Sequence, residues 1–147
     1  MNVRTVFLAT IVVFLAIQVV PYGRNHANPP LVREPLWDSP ATRNLAKQAC
    51  FDCHSNETVW PWYSNIAPLS WLIAYDVYEG RSELNFSDWQ DGAREGERPQ
   101  KILKEISSGE MPPLQYRLAH PGAKLDQAAG KRLAEGIGAT ARPVKQH

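Results

Sequence analysis

The sequence predicts an all-α protein, a small helical domain preceded by a separate apolar helix. Three observations carry that prediction. Apolar side chains recur at three- and four-residue spacing in four segments of the chain. Those segments begin at capping residues or prolines and two of them end on glycine. No stretch alternates apolar and polar residues as a half-buried strand would. With 147 residues, 44% of them hydrophobic and 21% charged, the chain has an ordinary globular balance and room for one domain behind its leader. The formal charge of +1 gives no reason to expect nucleic acid or an acidic partner.

The leader comes first. Arg4 precedes an uncharged apolar run from Thr5 to Val20, longer than a signal-peptide core and a little shorter than a typical spanning helix. No small-x-small cleavage site follows it, which favours an uncleaved anchor over a removed signal peptide for residues 1–22. Tyr22 and Arg24 then fall where an aromatic and a cation commonly meet the membrane interface. Residues 23–38 are polar and proline-rich, with Pro29, Pro30 and Pro35, and read as a semi-rigid tether. The domain proper is expected over residues 39–147.

Within that domain four helices are predicted. Ser39 caps the first, Pro40 takes its first turn, and Ala41, Leu45 and Ala49 share a face leading into Cys50. The second runs from about Pro68 to Glu79, with Leu69, Leu72, Ile73 and Val77 as its apolar side and Gly80 just past its end. The third starts at Pro99, carries Ile102, Leu103 and Ile106, and stops at Gly109. Asp126 caps the last, which presents Ala129, Leu133 and Ile137.

The chemistry lies between the first two helices, at Cys50-Phe51-Asp52-Cys53-His54. C-x-x-C-H is the attachment signature of c-type haem: each thiol can form a thioether to a vinyl group, and the adjacent imidazole can ligate the iron. Both cysteines of the chain are used here. A thioredoxin-like pair would want a βαβ context that is absent from the pattern. A zinc site needs four ligands, and His26, His120 and His147 supply no second ligand pair. A bare disulfide across two residues closes too small a loop to stabilise much. Covalent haem is the reading that remains, and the export-type leader agrees with it.

The order helix, C-x-x-C-H, loop, helix, helix, Met-Pro loop, helix resembles a small class I cytochrome c. More specifically, CFDCHSNETVWPWYS (residues 50–64) resembles the core of the bacterial haem-binding domain proteins. The likeness continues through IAPLSWLIAYDV, EGRSELNFSDW and GEMPPLQYRLAH, spanning residues 50–133. It implies one covalently attached haem c in an extracytoplasmic, often membrane-tethered domain, and no defined reaction.

The sixth position on the iron then decides function. Met111 is the leading ligand beside His54, because Gly109, Pro112 and Pro113 make a short prolyl loop around it. Class I cytochromes c place a distal methionine in a similar loop, and His/Met ligation suits an electron carrier. His120 is the alternative, more easily read as a partner of backbone or of a haem propionate. Trp60, Trp62 and Tyr63 follow the motif and read as core packing that also reaches the haem edge. Arg81 reads equally as a propionate partner or a surface cation, and Asn85 as a turn former. Ser87 and Asp88 read as the cap of a short turn. Glu95, Glu97 and Arg98 read as a solvated loop, and His26 and His147 as solvated.

The expected function is a periplasmic, membrane-anchored monohaem cytochrome c, not an enzyme, that passes single electrons to redox partner proteins in the periplasm or inner membrane. A haem sensor would need an open or displaceable distal site. A peroxidase would need a distal acid–base group, for which only His120 or Glu110 stand near.

Overall fold

The computed structural model describes residues 2–91 and 93–141, and these form seven α-helices with no strand among them. They are α1 (Val3–Ile17), α2 (Pro40–Ala49), α3 (Phe51–His54), α4 (Leu69–Glu83), α5 (Pro99–Ser108), α6 (Leu114–Ala119) and α7 (Gln127–Thr140). His147, and the end of the domain expected to reach it, lie outside the described residues.

The predicted boundaries follow from local chemistry. The Ser39 hydroxyl accepts from the Thr42 amide and Pro40 occupies the first turn of α2. Asp126 accepts from the Ala129 amide to start α7. Gly109 ends α5 in the left-handed region, at φ 75°. Asn85 accepts from the Ser87 amide at 2.9 Å, the turn its short amide suits.

The core lies where α2, α5 and α7 meet the segment after α4. Ala46, Ala49, Phe51, Leu84, Phe86, Trp89, Ile102, Leu133 and Ile137 form one buried cluster. Its centre is aromatic: Phe86 lies 5.5 Å from Phe51 and 6.1 Å from Trp89, both stacked, with Trp37 tilted against it at 5.1 Å. Such offset pairs add to the burial of their area.

Three expectations are corrected. Helix α4 runs through Gly80 instead of ending before it. Its expected apolar side is buried only in part: Val77 is buried beside Ser70 and Gly80, while Leu69 and Leu72 are exposed. The cause is contact with α3: a side chain on Gly80 would come 2.5 Å from the Cys53 carbonyl oxygen and 3.0 Å from its Cβ. Only hydrogen at that position lets the two helices approach so closely. Residues 95–98 are likewise not simply solvated, because Glu97 is fully buried. It accepts from the Gln90 amide and pairs with Arg94 at 3.2 Å, as a buried carboxylate requires.

Residues 23–38, expected as a standing tether, are instead laid along the domain. The Val32 and Arg33 amides donate to the Ser87 carbonyl, the Trp89 amide donates back to Arg33, and Asn56 donates to Pro30. His26, read as solvated, stacks on Trp60 at 4.6 Å and bonds to Ser64. Asn28 donates to the Thr58 carbonyl. Proline rigidity suits a strap as well as a spacer, because it lowers the entropy lost on docking.

Two glycines separate packing from propensity. Gly130, in α7, has open space where a Cβ would stand. Gly130→Ala should raise stability by about 0.5–1 kcal/mol. Gly80→Ala should lower it by about 1–3 kcal/mol through the forced separation of α3 and α4. Urea unfolding of the two variants beside the parent checks the opposite signs.

Candidate haem site

Helix α2 delivers the chain into α3 with no intervening loop, since the Cys50 residue that caps α2 also opens α3. One turn therefore carries Cys50, Cys53 and His54. Cys50 and Cys53 are unbridged, and burial is the first cause pushing each thiol up to about 12. At neutral pH both stay protonated.

His54 is held at both of its ends. Its imidazole Nδ1 donates to the Gly80 carbonyl at 2.8 Å and to the Leu84 carbonyl at 3.1 Å, while its own carbonyl accepts from Phe86. Carbonyls only accept, so the proton belongs on Nδ1 and the Nε2 lone pair is left free. Burial holds the imidazole below its ordinary pKa, outweighing the two carbonyls, which pull the other way. A neutral, oriented imidazole with a free Nε2 is the state that iron ligation requires.

These side chains open onto one cavity of about 430 Å³, within the range of cofactor pockets. Ala49, Leu84, Phe86, Ile102, Ile106, Leu125, Leu133 and Ile137 supply its apolar wall. Met111, Pro112, Pro113 and Tyr116 also line it, so a soft sulfur and a free imidazole nitrogen border the same space. The polar lining is mostly acidic: Asp76, Glu79, Glu83 and Glu105, with Lys101 as the one cation among the described lining residues. Lys101 pairs with Glu83 at 3.2 Å.

The cavity leaves out four expected cofactor residues, Trp60, Trp62, Tyr63 and Arg81. Arg81 lies on the other side of α4. Its guanidinium donates to the Ser55 carbonyl, Thr58 Oγ1 and Asn28 Oδ1, which pins the loop after the motif to the strap. Trp60 donates to Asn28 at 3.2 Å, Tyr63 is half-buried beside Trp62, and Trp62 itself is 76% exposed. His120 stacks on Tyr116 and bonds to its carbonyl, and neither His120 nor Glu110 lines the cavity.

The chain matches the model of the haem-binding domain over residues 12–139. It belongs to the haem-binding domain family. No curated protein and no solved structure matches it. The cavity fits the family's group on its own evidence: apolar walls for a porphyrin, and a buried imidazole whose nitrogen is kept free by two carbonyls. In this haem-binding domain His54 is the residue best prepared to hold iron, and Cys50 and Cys53 border the same space.

Sequence reading missed two side chains that shape the site. Tyr116 donates to Asp52 Oδ2 at 2.6 Å, joining α6 to α3. Burial first, then that bond, raises its phenol above the ordinary value. Asp52 is spent further on the Val59 amide. No spacing rule links two residues so far apart in the chain. Both nevertheless fall inside the segments that resemble the family.

Tyr116→Phe should cost about 2 kcal/mol, the scale of a hydrogen bond to a charged group, with Asp52→Asn costing less because an acceptor remains. Thermal unfolding of both variants tests this. The His54 shift also has a sign. The unfolded chain takes up the proton near 6.5 and the folded chain only below that, so stability is full above pH 6.5 and falls as pH drops through that value. Urea midpoints of the haem-free protein between pH 7.5 and pH 5 should show this slope, and His54→Gln should flatten it.

Proposed function

We propose that this haem-binding protein is a monohaem c-type cytochrome that carries single electrons outside the bacterial cytoplasm while anchored to the inner membrane. The observation that carries the reading is the meeting of Cys50, Cys53, His54 and Met111 around one cavity. Cys50 and Cys53 would be the covalent anchors, their thiols holding the haem through thioether bonds to its two vinyl groups. His54 would hold the iron through Nε2, kept in place by Gly80 and Leu84. Met111 would supply the second ligand, a neutral sulfur that favours the reduced state. Haem iron, when bound, supplies the one-electron chemistry, while the chain's part is position and potential.

The carboxylates at the cavity bear on that potential. Asp76, Glu79, Glu83 and Glu105 stabilise positive charge nearby and so oppose the effect of the Met111 sulfur. The anchor reading is supported by the leader: α1 has no buried residue, and the uncharged apolar run continues past it to Val20. Among the described residues, no helix is long and apolar enough to cross a membrane alone. Redox partners are proteins of the periplasm or inner membrane. A peroxidase would need His120 or Glu110 at the iron, and the cavity includes neither. The sensor reading has one observation in its favour, the 40% exposure of Met111, which suits a displaceable ligand.

Spectroscopy separates these readings. Haem should stay with the protein through acid–acetone extraction, and Cys50→Ser with Cys53→Ser should release it. The oxidised protein should show a weak charge-transfer band toward the red end that Met111→Ala abolishes. Carbon monoxide should bind the ferrous protein readily only in Met111→Ala. Ready binding by the unmodified protein, unchanged by that substitution, would overturn the carrier reading in favour of sensing.

A further inference from the structure

We propose that the domain rests directly on the lipid bilayer, through an uncharged aromatic and aliphatic face formed by Tyr22, Trp62, Leu69, Leu72 and Tyr75 around the end of α1. The proposal rests on the membrane reading above and adds an orientation to it.

Two observations carry it. First, α1 is clamped to the domain. The Gln18 side-chain amide donates to the Ala67 carbonyl at 2.9 Å and accepts from the Ala67 amide at 3.0 Å, while Arg24 donates to Gln18. Gly23 lies directly against the Ser70 carbonyl, where any side chain would collide. An α1 inserted in lipid therefore carries the start of α4 down with it, and leaves no slack for a free tether.

Second, the surface brought down is suited to lipid. No charged residue occurs from Val59 through Tyr75, and no acidic residue before Glu34. Within that stretch Trp62 is 76%, Tyr75 54%, Leu69 45% and Leu72 44% exposed, beside Tyr22 at 55%. Leu69, Leu72 and Tyr75 recur at three-residue spacing on one side of α4. Aromatic residues with one polar atom favour the headgroup level of a bilayer, and leucines the level just below.

The two observations also account for the length of α1. Its 15 residues rise about 22 Å, short of a hydrocarbon core of about 30 Å. Apolar contact continues beyond the helix onto Val19, Val20 and the collar of the domain, and the one cation where α1 ends, Arg24, is bonded to Gln18 and suits the headgroup level. Further along α4 the haem cavity begins at Asp76, about 6 Å past Leu72 by helical rise, and reaches Gly80 at about 12 Å. The helix that would meet the lipid is thus also a wall of the cavity, which brings the cavity within reach of a partner embedded in the bilayer.

The test uses the full chain in phosphatidylcholine–phosphatidylglycerol vesicles that contain a phospholipid with a diazirine in its acyl chain. After illumination, labelled peptides are mapped by mass spectrometry. Label should appear in α1 and also within residues 62–75. Exchanging Trp62, Leu69 and Leu72 for serine should remove the second set and leave the first. Gln18→Ala should weaken labelling of 62–75 in the same selective way, without touching that surface. Label confined to α1 would overturn the seating while the anchor stands. Label in neither region, with the protein released by alkaline carbonate, would overturn the seating and the anchor together.

Discussion

The contact of Gly80 with Cys53 is the constraint on which the site depends. Because Gly80 has no side chain, α4 can lie against the last turn of α3, and its carbonyl comes within 2.8 Å of the His54 imidazole. Leu84, where α4 ends, adds a second carbonyl from the same helix. One backbone approach thus fixes the tautomer, the ring plane and the free nitrogen of His54. A larger residue would move both carbonyls away together, and the imidazole would lose its orientation before the core lost its packing. The aromatic cluster of Phe51, Phe86 and Trp89 takes up the remaining freedom of α3 from the opposite side.

The parts of this architecture that were legible in sequence are those written in local chemistry. Ser39-Pro40, Asp126 and Gly109 act within one turn of themselves, so their roles survive in any tertiary context. The segment from Cys50 to His54 stands out for the same reason, since its residues follow one another in the chain. Gly80 misled because glycine serves two purposes, ending helices and letting them touch, and the choice between them belongs to the neighbouring helix. Arg81 shows the same limit. Sequence leaves a propionate partner and a surface cation equally open, and its donors go to Ser55, Thr58 and Asn28, residues whose proximity only the folded strap creates.

The strap is the element whose composition was read well and whose place was not. Proline and polarity describe a chain that cannot form helix or sheet with itself, and both a free linker and a docked strap satisfy that description. The difference lies in the partners: Ser87, Asn56 and Thr58 offer backbone and side-chain groups in register with the strap. Its docking has a mechanical consequence. Bonds to the domain recur from Gln18 to Pro30, which accepts from Asn56, so the chain leaving α1 is held against the body that carries the cavity.

That rigidity bears on how electrons would move. A carrier on a loose tether meets its partners by swinging, and its rate depends on tether length and encounter. A domain fixed at the root of its anchor meets partners by sliding in two dimensions, always offering the same face. The acidic lining of Asp76, Glu79, Glu83 and Glu105 then turns toward a constant direction, with only Lys101 to offset it. Complementary charge on a partner at that height would guide docking by orientation and not by affinity, because exposed charge pairs contribute little binding energy but much alignment.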